Sequence, residues 1–115
     1  MICIVVGVAM QEPTFLVLTV LAGPPLHGYG IMRAIEEISG DPAPRPGTLY
    51  AALDRLTAEG MVEVARQDEL GGGRVRRFYR LTGRGADTLR AEAERRRGLA
   101  TIAVRRLRTL SPRLA

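Results

Sequence analysis

The chain has no lysine, no tryptophan and a single cysteine, Cys3, among its 115 residues. A lone cysteine excludes an internal disulfide framework, and with one histidine, His27, it leaves no residue set to hold a metal. A reducing cytoplasm is the compartment that fits. With three Tyr and two Phe, the core must be built from Leu, Val, Ile and Ala. One domain of this size is marginal on such a core, so the burial offered by a second copy would help. No apolar run is long enough to cross a bilayer. Met1 to Ala9 is apolar but stops at Gln11-Glu12-Pro13, and no basic segment precedes it, so neither an anchor nor a secretory signal is expected. Residues 1–9 read instead as a dispensable extension ahead of a start at Met10; the rival is an extra strand or helical turn packed on a partner. Catalysis lacks its parts as well. Gly71-Gly72-Gly73 has no following lysine and lies in a hairpin, so it is no nucleotide loop. Glu36 and Glu37 fall on the polar face of a helix, where solvation explains them. The chain reads as no enzyme and requires no cofactor.

What is present is arginine, 17 of them against 12 acids, in an uneven distribution. Ile31 to Ala65 holds three arginines and six acids, whereas Arg66 to Arg80 holds five arginines against Asp68 and Glu69. From Arg95 to Arg113 there are seven arginines and no acid. Guanidinium groups suit bidentate contacts to phosphate and guanine. The electrostatic footprint of a nucleic-acid binder therefore lies on the later segments.

The stretch Pro46 to Val62 carries a complete helix. Thr48 is placed to cap the first turn, Leu49, Ala52, Leu53 and Leu56 form one apolar stripe, and Gly60 supplies a left-handed stop. Opposite the stripe lie Ala51, Asp54, Arg55 and Ala58, flanked by Thr48 and Tyr50. Upstream, His27 to Ser39 places Ile31, Ala34, Ile35 and Ile38 at helical spacing, closed by Gly40. Downstream, Val62–Asp68 and Val75–Leu81 are β-rich runs joined by Leu70-Gly71-Gly72-Gly73. Helix, turn, helix and a hairpin with a basic tip is the order of a winged helix-turn-helix.

The run Leu26-His27-Gly28-Tyr29-Gly30-Ile31, then Gly47-Thr48-Leu49-Tyr50 with Leu53, Leu56 and Gly60, then Phe78-Tyr79-Arg80-Leu81-Thr82 and Gly85, resembles the PadR-type transcriptional regulators. The resemblance spans about Gln11 to Thr88, and a long last helix fits the short subgroup of that family. It implies a mainly α fold with a small β-hairpin: a winged helix-turn-helix over residues 10–81 and a dimerisation helix and tail over 82–115. It also implies a DNA-binding regulator, most often a repressor, with small aromatic or drug-like effectors in some members. Asp54 departs from the pattern, standing as an acid where the family is often basic or polar.

Several residues then become candidates for double-stranded DNA. Tyr29, Thr48 and Tyr50 lie near helix starts, where backbone N–H groups favour phosphate; in the bland alternative Thr48 is a cap and Tyr50 a core-edge ring. Ala51 and Asp54 lie on the outward face, and Asp54 can accept from cytosine N4 or stand solvated. Arg55 can donate to guanine or pair with Glu59. Arg74, Arg76 and Arg77 flank the mobile tip, on phosphates or in water. Tyr79 and Leu81 share a strand face with Val75 and are assigned to the core. His27 reads as a turn residue whose ring satisfies backbone groups.

A homodimer is expected from two helices. Phe15, Leu16, Val17, Leu18, Val20 and Leu21 leave the helix from Pro13 to about Ala22 with almost no polar face. In the last helix Ala86, Leu89, Ala93, Arg96, Ala100, Ala103, Leu107 and Leu110 recur at alternating steps of three and four, with Gly98 a point for a bend. The dimer candidates are thus Phe15, Leu18, Leu89, Ala93, Ala100, Ala103, Leu107 and Leu110. An effector would sit between the first and last helices, without a tryptophan clamp. The competing reading is a winged-helix module for protein assembly, favoured by the acidic balance of Ile31–Ala65.

Overall fold

The computed structural model of the protein describes residues 10–114; the segment expected to be dispensable, residues 1–9, lies outside them. Pro13 sits in the first turn of α1 (Glu12–Val20), where its fixed φ suits a helix start and its missing N–H costs nothing. The helix ends two residues before the expected Ala22. After the two-residue β1 (Leu26–His27) comes α2 (Gly28–Ser39), terminated by Gly40 at φ 75°, whose N–H donates to the Glu36 carbonyl. The next helix, α3 (Pro46–Ala58), starts earlier than expected. Pro46 opens it after Arg45, so Thr48 lies inside the first turn, and the helix has no side-chain cap at its start. Its stop is a Schellman motif. Met61 N–H donates to Leu56 O at 2.9 Å and Gly60 N–H to Thr57 O at 3.0 Å, with Gly60 left-handed at φ 76°.

The wing is β2 (Val62–Gly71) and β3 (Arg74–Leu81), antiparallel and longer than the two expected runs. Their register is irregular between Val64 and Arg66 and between Glu69 and Gly71. The tip glycines Gly71, Gly72 and Gly73 all have positive φ. β1 adds a third strand in the order β1-β3-β2, pairing Leu26 with Tyr79 and His27 with Phe78. A two-residue strand has no periodicity, so nothing in the sequence announced it.

One core holds these elements together: Val17, Leu18 and Leu21 from α1, Ile31 and Ile35 from α2, Leu49, Leu53 and Leu56 from α3, with Val62 and Tyr79. One assignment changes, and two apolar residues on the expected inward faces stay outside the core. Leu18, expected at a dimer interface, is fully buried in its own core at 0% exposure. Ile38 is exposed, because it lies in the last turn of α2, beyond the elements that cover Ile31 and Ile35. Val75 is exposed near the wing tip, while Tyr79 on the same strand face is buried and Leu81 half-buried. The wing outruns the core.

The last helix, α4 (Gly83–Leu114), continues through Gly98 as one helical element. Its start is tied tightly. Thr82 Oγ1 accepts from Gly85 N–H at 3.0 Å and donates to Gly60 O at 2.6 Å, and Thr82 N–H donates to Met61 O. Gly85 lies so close to the turn between α3 and β2 that a Cβ on it would be 1.9 Å from Met61 O. Farther along, Arg96 donates to Glu92 and Glu12 carboxylates and to Met10 O, joining α4 to the start of α1. This residue, the charged exception in the expected seam, is thus engaged within its own chain. Leu89 packs half-buried against the chain's own core. Ala93, Ala100, Ala103, Leu107 and Leu110 are exposed.

Candidate nucleic-acid interface

The start of α2, the start of α3 and the wing meet around an open groove of about 320 Å³. It is lined by His27, Gly28, Tyr29, Tyr50, Leu70, Val75, Arg76, Arg77 and Tyr79. Four of the sequence candidates, Tyr29, Tyr50, Arg76 and Arg77, are therefore brought together. Helical phase puts Tyr50 on the flank of α3 that faces the wing, about 100° from the buried stripe of Leu49, Leu53 and Leu56 that fixes the helix's rotation. The Tyr50 hydroxyl presses on α2: a Cβ placed on Gly28 would be 2.2 Å from it. Only glycine permits that close approach.

A column of rings and guanidinium groups runs along the base of the wing. Arg66 lies over Phe78 at 3.8 Å, Phe78 stands 5.2 Å from His27, and His27 stands 6.4 Å from Tyr29. Arg33 closes the column over Tyr29 and donates to its hydroxyl at 3.3 Å. That bond, and then the charge interaction with the same phenol, raise the Arg33 pKa. His27 occupies the residue before α2 without a side-chain capping bond. Its ring packs at a tilt against Phe78 and Tyr29 instead of satisfying backbone groups. Tyr29 is 59% exposed at the end of this column, which braces it from one side. Burial raises the Tyr79 phenol pKa; Arg77 acts to lower it, and Asp54 and Tyr50 act to raise it.

The remaining candidates divide. Thr48, Ala51 and Asp54 are exposed on α3. Arg55 is turned towards α1: its Nη2 donates to Thr14 Oγ1 at 3.0 Å, and Nη1 stands 4.0 Å from Glu59. Arg74 is exposed at the hairpin tip, outside the groove lining. Arg77 is steadied by Gln67, accepting from its Nε at 2.8 Å. Sequence reasoning missed His27, Gly28, Leu70, Val75 and Tyr79 as groove residues. Gly28 carried a usable signal, since a glycine opening a helix beside Tyr29 marks close backbone approach. Among the described residues no group of His, Cys, Asp and Glu could hold a metal, and no helix is long and apolar enough to cross a membrane.

The fold has clear relatives. The model of the transcriptional regulator PadR-like family matches residues 17–91. A PadR family transcription regulator from Clostridium difficile superposes with a TM-score of 0.72 at 25% identity, covering 84% of this chain and 99% of that one. Bacillus subtilis PadR, solved in complex with operator DNA, gives a TM-score of 0.63 at 26% identity, over 71% of this chain and 46% of that one. An uncharacterized 37.1 kDa protein in transposon TN4556 of Streptomyces fradiae is 46% identical over 83 residues. That match covers 72% of this chain but 22% of the transposon protein, so the chain spans about a fifth of that relative.

Proposed function

The chain belongs to the PadR-like family of transcriptional regulators, and on that premise we propose that it binds operator DNA as a homodimer and represses transcription in the cytoplasm. Residues 10–81 form the DNA-binding unit, and 82–115 the dimerisation helix and tail. The observation that carries the reading is the groove where Tyr29, Tyr50, Arg76 and Arg77 meet beside the outward face of α3. In this reading α3 enters the major groove, the two tyrosines and the wing arginines hold phosphates on either side, and Arg74 reaches the flanking backbone. Two copies place their α3 helices about 34 Å apart, one turn of the duplex. The operator complex of the Bacillus subtilis relative supports the choice of partner.

Dimerisation is supported by what α4 leaves uncovered. Leu99, Ile102, Val104, Leu107 and Leu110 are each at least 44% exposed. Water tolerates single apolar residues but not a long contiguous row, and a second α4 covers it most economically. Phe15, Leu16 and Val20 of α1 are half-buried, and Arg96 of α4 lies over the Phe15 ring. An effector bound between α1 and α4 would change the spacing of the two α3 helices by shifting populations.

The test is fluorescence anisotropy on duplexes from the region upstream of the chain's own gene, against random duplex, at two salt concentrations. Tighter binding to the upstream duplex, weakened by salt, is expected. Equal and negligible binding to both would overturn the reading. That result would favour the assembly module, whose support is the acidic balance of Ile31–Ala65.

A further inference from the structure

Resting on the DNA-binding reading, we propose that Asp54 selects a cytosine in each half-site, with Ala51 set against base methyl groups beside it. The argument starts from helical phase. With Leu49, Ala52, Leu53 and Leu56 buried, the residues farthest from the core are Gly47, Ala51, Asp54 and Ala58, and all four are exposed. Three of them end at Cβ or before it. The backbone of α3 can therefore come close to base edges, and Asp54 alone on this face carries polar side-chain atoms to reach them. Arg55, the cation on α3 suited to guanine, is held on Thr14 and near Glu59. Thr48 stands on the same flank as Arg55. Among the described residues no ion pair engages the Asp54 carboxylate.

An ionised carboxylate only accepts hydrogen bonds. The major groove offers it two donors, cytosine N4 and adenine N6. Adenine sets its N7 acceptor beside N6, facing the second carboxylate oxygen, whereas cytosine presents no acceptor on that edge. Cytosine is the better match. Thymine methyls are the apolar features of the groove that suit the methyl of Ala51. Phosphates repel Asp54 on every sequence, while the favourable contact forms only on the right base. The acid thus widens the gap between specific and non-specific binding instead of raising affinity overall.

The test is selection of binding sites from a randomised duplex pool with the full chain, Asp54→Asn and Asp54→Ala, followed by anisotropy on the selected site with each of the four bases. Thermal melts check that both variants fold, as an exposed position allows. The wild type should favour cytosine at one position per half-site by roughly tenfold, within the range of a good base contact. Asp54→Asn should move that preference to adenine, whose N6 and N7 suit an amide. Asp54→Ala should lose preference at that position alone and bind random DNA more tightly. A selected motif that neither substitution changes overturns the proposal and leaves the DNA-binding reading standing. A chain that enriches no sequence removes both.

Discussion

The Arg96 guanidinium lies 3.9 Å from the centroid of the Phe15 ring, so the last helix is held to the first by a cation on an aromatic face. The same group is bonded to Glu92 at 2.7 Å and Glu12 at 2.6 Å. Arg96→Ala should lower unfolding free energy by about 1–2 kcal/mol, the scale of one partly shielded cation–π contact and its hydrogen bonds. Arg96→Lys keeps the charge without the planar stack and should fall between. Urea unfolding of the three proteins measures this.

The same junction should respond to acid. Hydrogen bonds from Arg95 and then Arg96 hold the Glu92 carboxyl at about 2, below its ordinary 4.5. A pKa depressed in the folded state contributes stability above the unfolded value and loses it as pH falls through the folded one. The contribution should therefore be full at neutral pH and disappear between about 4.5 and 2. Glu92→Gln should be less stable than the wild type at pH 7, and the difference should shrink as the pH falls below 4.5 towards 2. Urea midpoints measured across that range decide it.

Two glycine substitutions should fail in different ways. At Gly85 a new Cβ meets the backbone carbonyl of Met61, which cannot swing aside, so Gly85→Ala should cost several kcal/mol and lower the melting temperature sharply. At Gly28 the obstacle is the end of the Tyr50 side chain, which can rotate away. Gly28→Ala should change stability by less than about 1 kcal/mol. Its effect should appear as weaker DNA binding, because the phenol leaves the groove. Calorimetry and anisotropy on both variants separate the outcomes.

Wing arginines are expected to act on phosphate. Arg76→Ala or Arg77→Ala should weaken operator and random duplex by a similar factor and flatten the slope of log affinity against log salt by about 0.9 per contact. Unchanged binding to both duplexes would make the hairpin a solvated face.

The exposed end of α4 should hold the dimer. Leu107, 57% exposed in the single chain, is expected to be covered by a second copy. Leu107→Asp would bury a charge there and should dissociate the dimer, at a cost of several kcal/mol. Sedimentation of wild type and variant at micromolar concentration measures this; a monomeric wild type would defeat the expectation.

Much of this fold was legible because its signals are local. The stripe Leu49, Leu53, Leu56 and the left-handed Gly60 place α3 and its stop within a residue or two. The hairpin follows from two β-rich runs and a glycine tip. What stayed hidden depends on contacts distant in sequence. Leu18 reads as surplus apolar surface until the core it shares with Ile31, Ile35 and Leu53 closes around it. Arg96 reads as a defect in a heptad until Phe15 and Glu12 arrive beneath it. Arg55 has two local options, Glu59 and a base, and took a third partner from α1. Thr82 belongs to the family-like run Phe78 to Thr82, yet it caps α4 and grips the end of α3.

That grip at Thr82 has a mechanical consequence. Gly60 ends the helix that would enter the groove, and Gly85 belongs to the first turn of the helix that would meet the partner. Between them one threonine and one carbonyl leave no room for a methyl group. A joint without slack transmits rotation instead of absorbing it. In the proposed dimer, the pitch of α3 against DNA and the crossing angle of the two α4 helices would then be one degree of freedom, not two. Tolerance to operator half-sites of altered spacing should accordingly be narrow, and a small shift at the dimer seam should be felt at the bases.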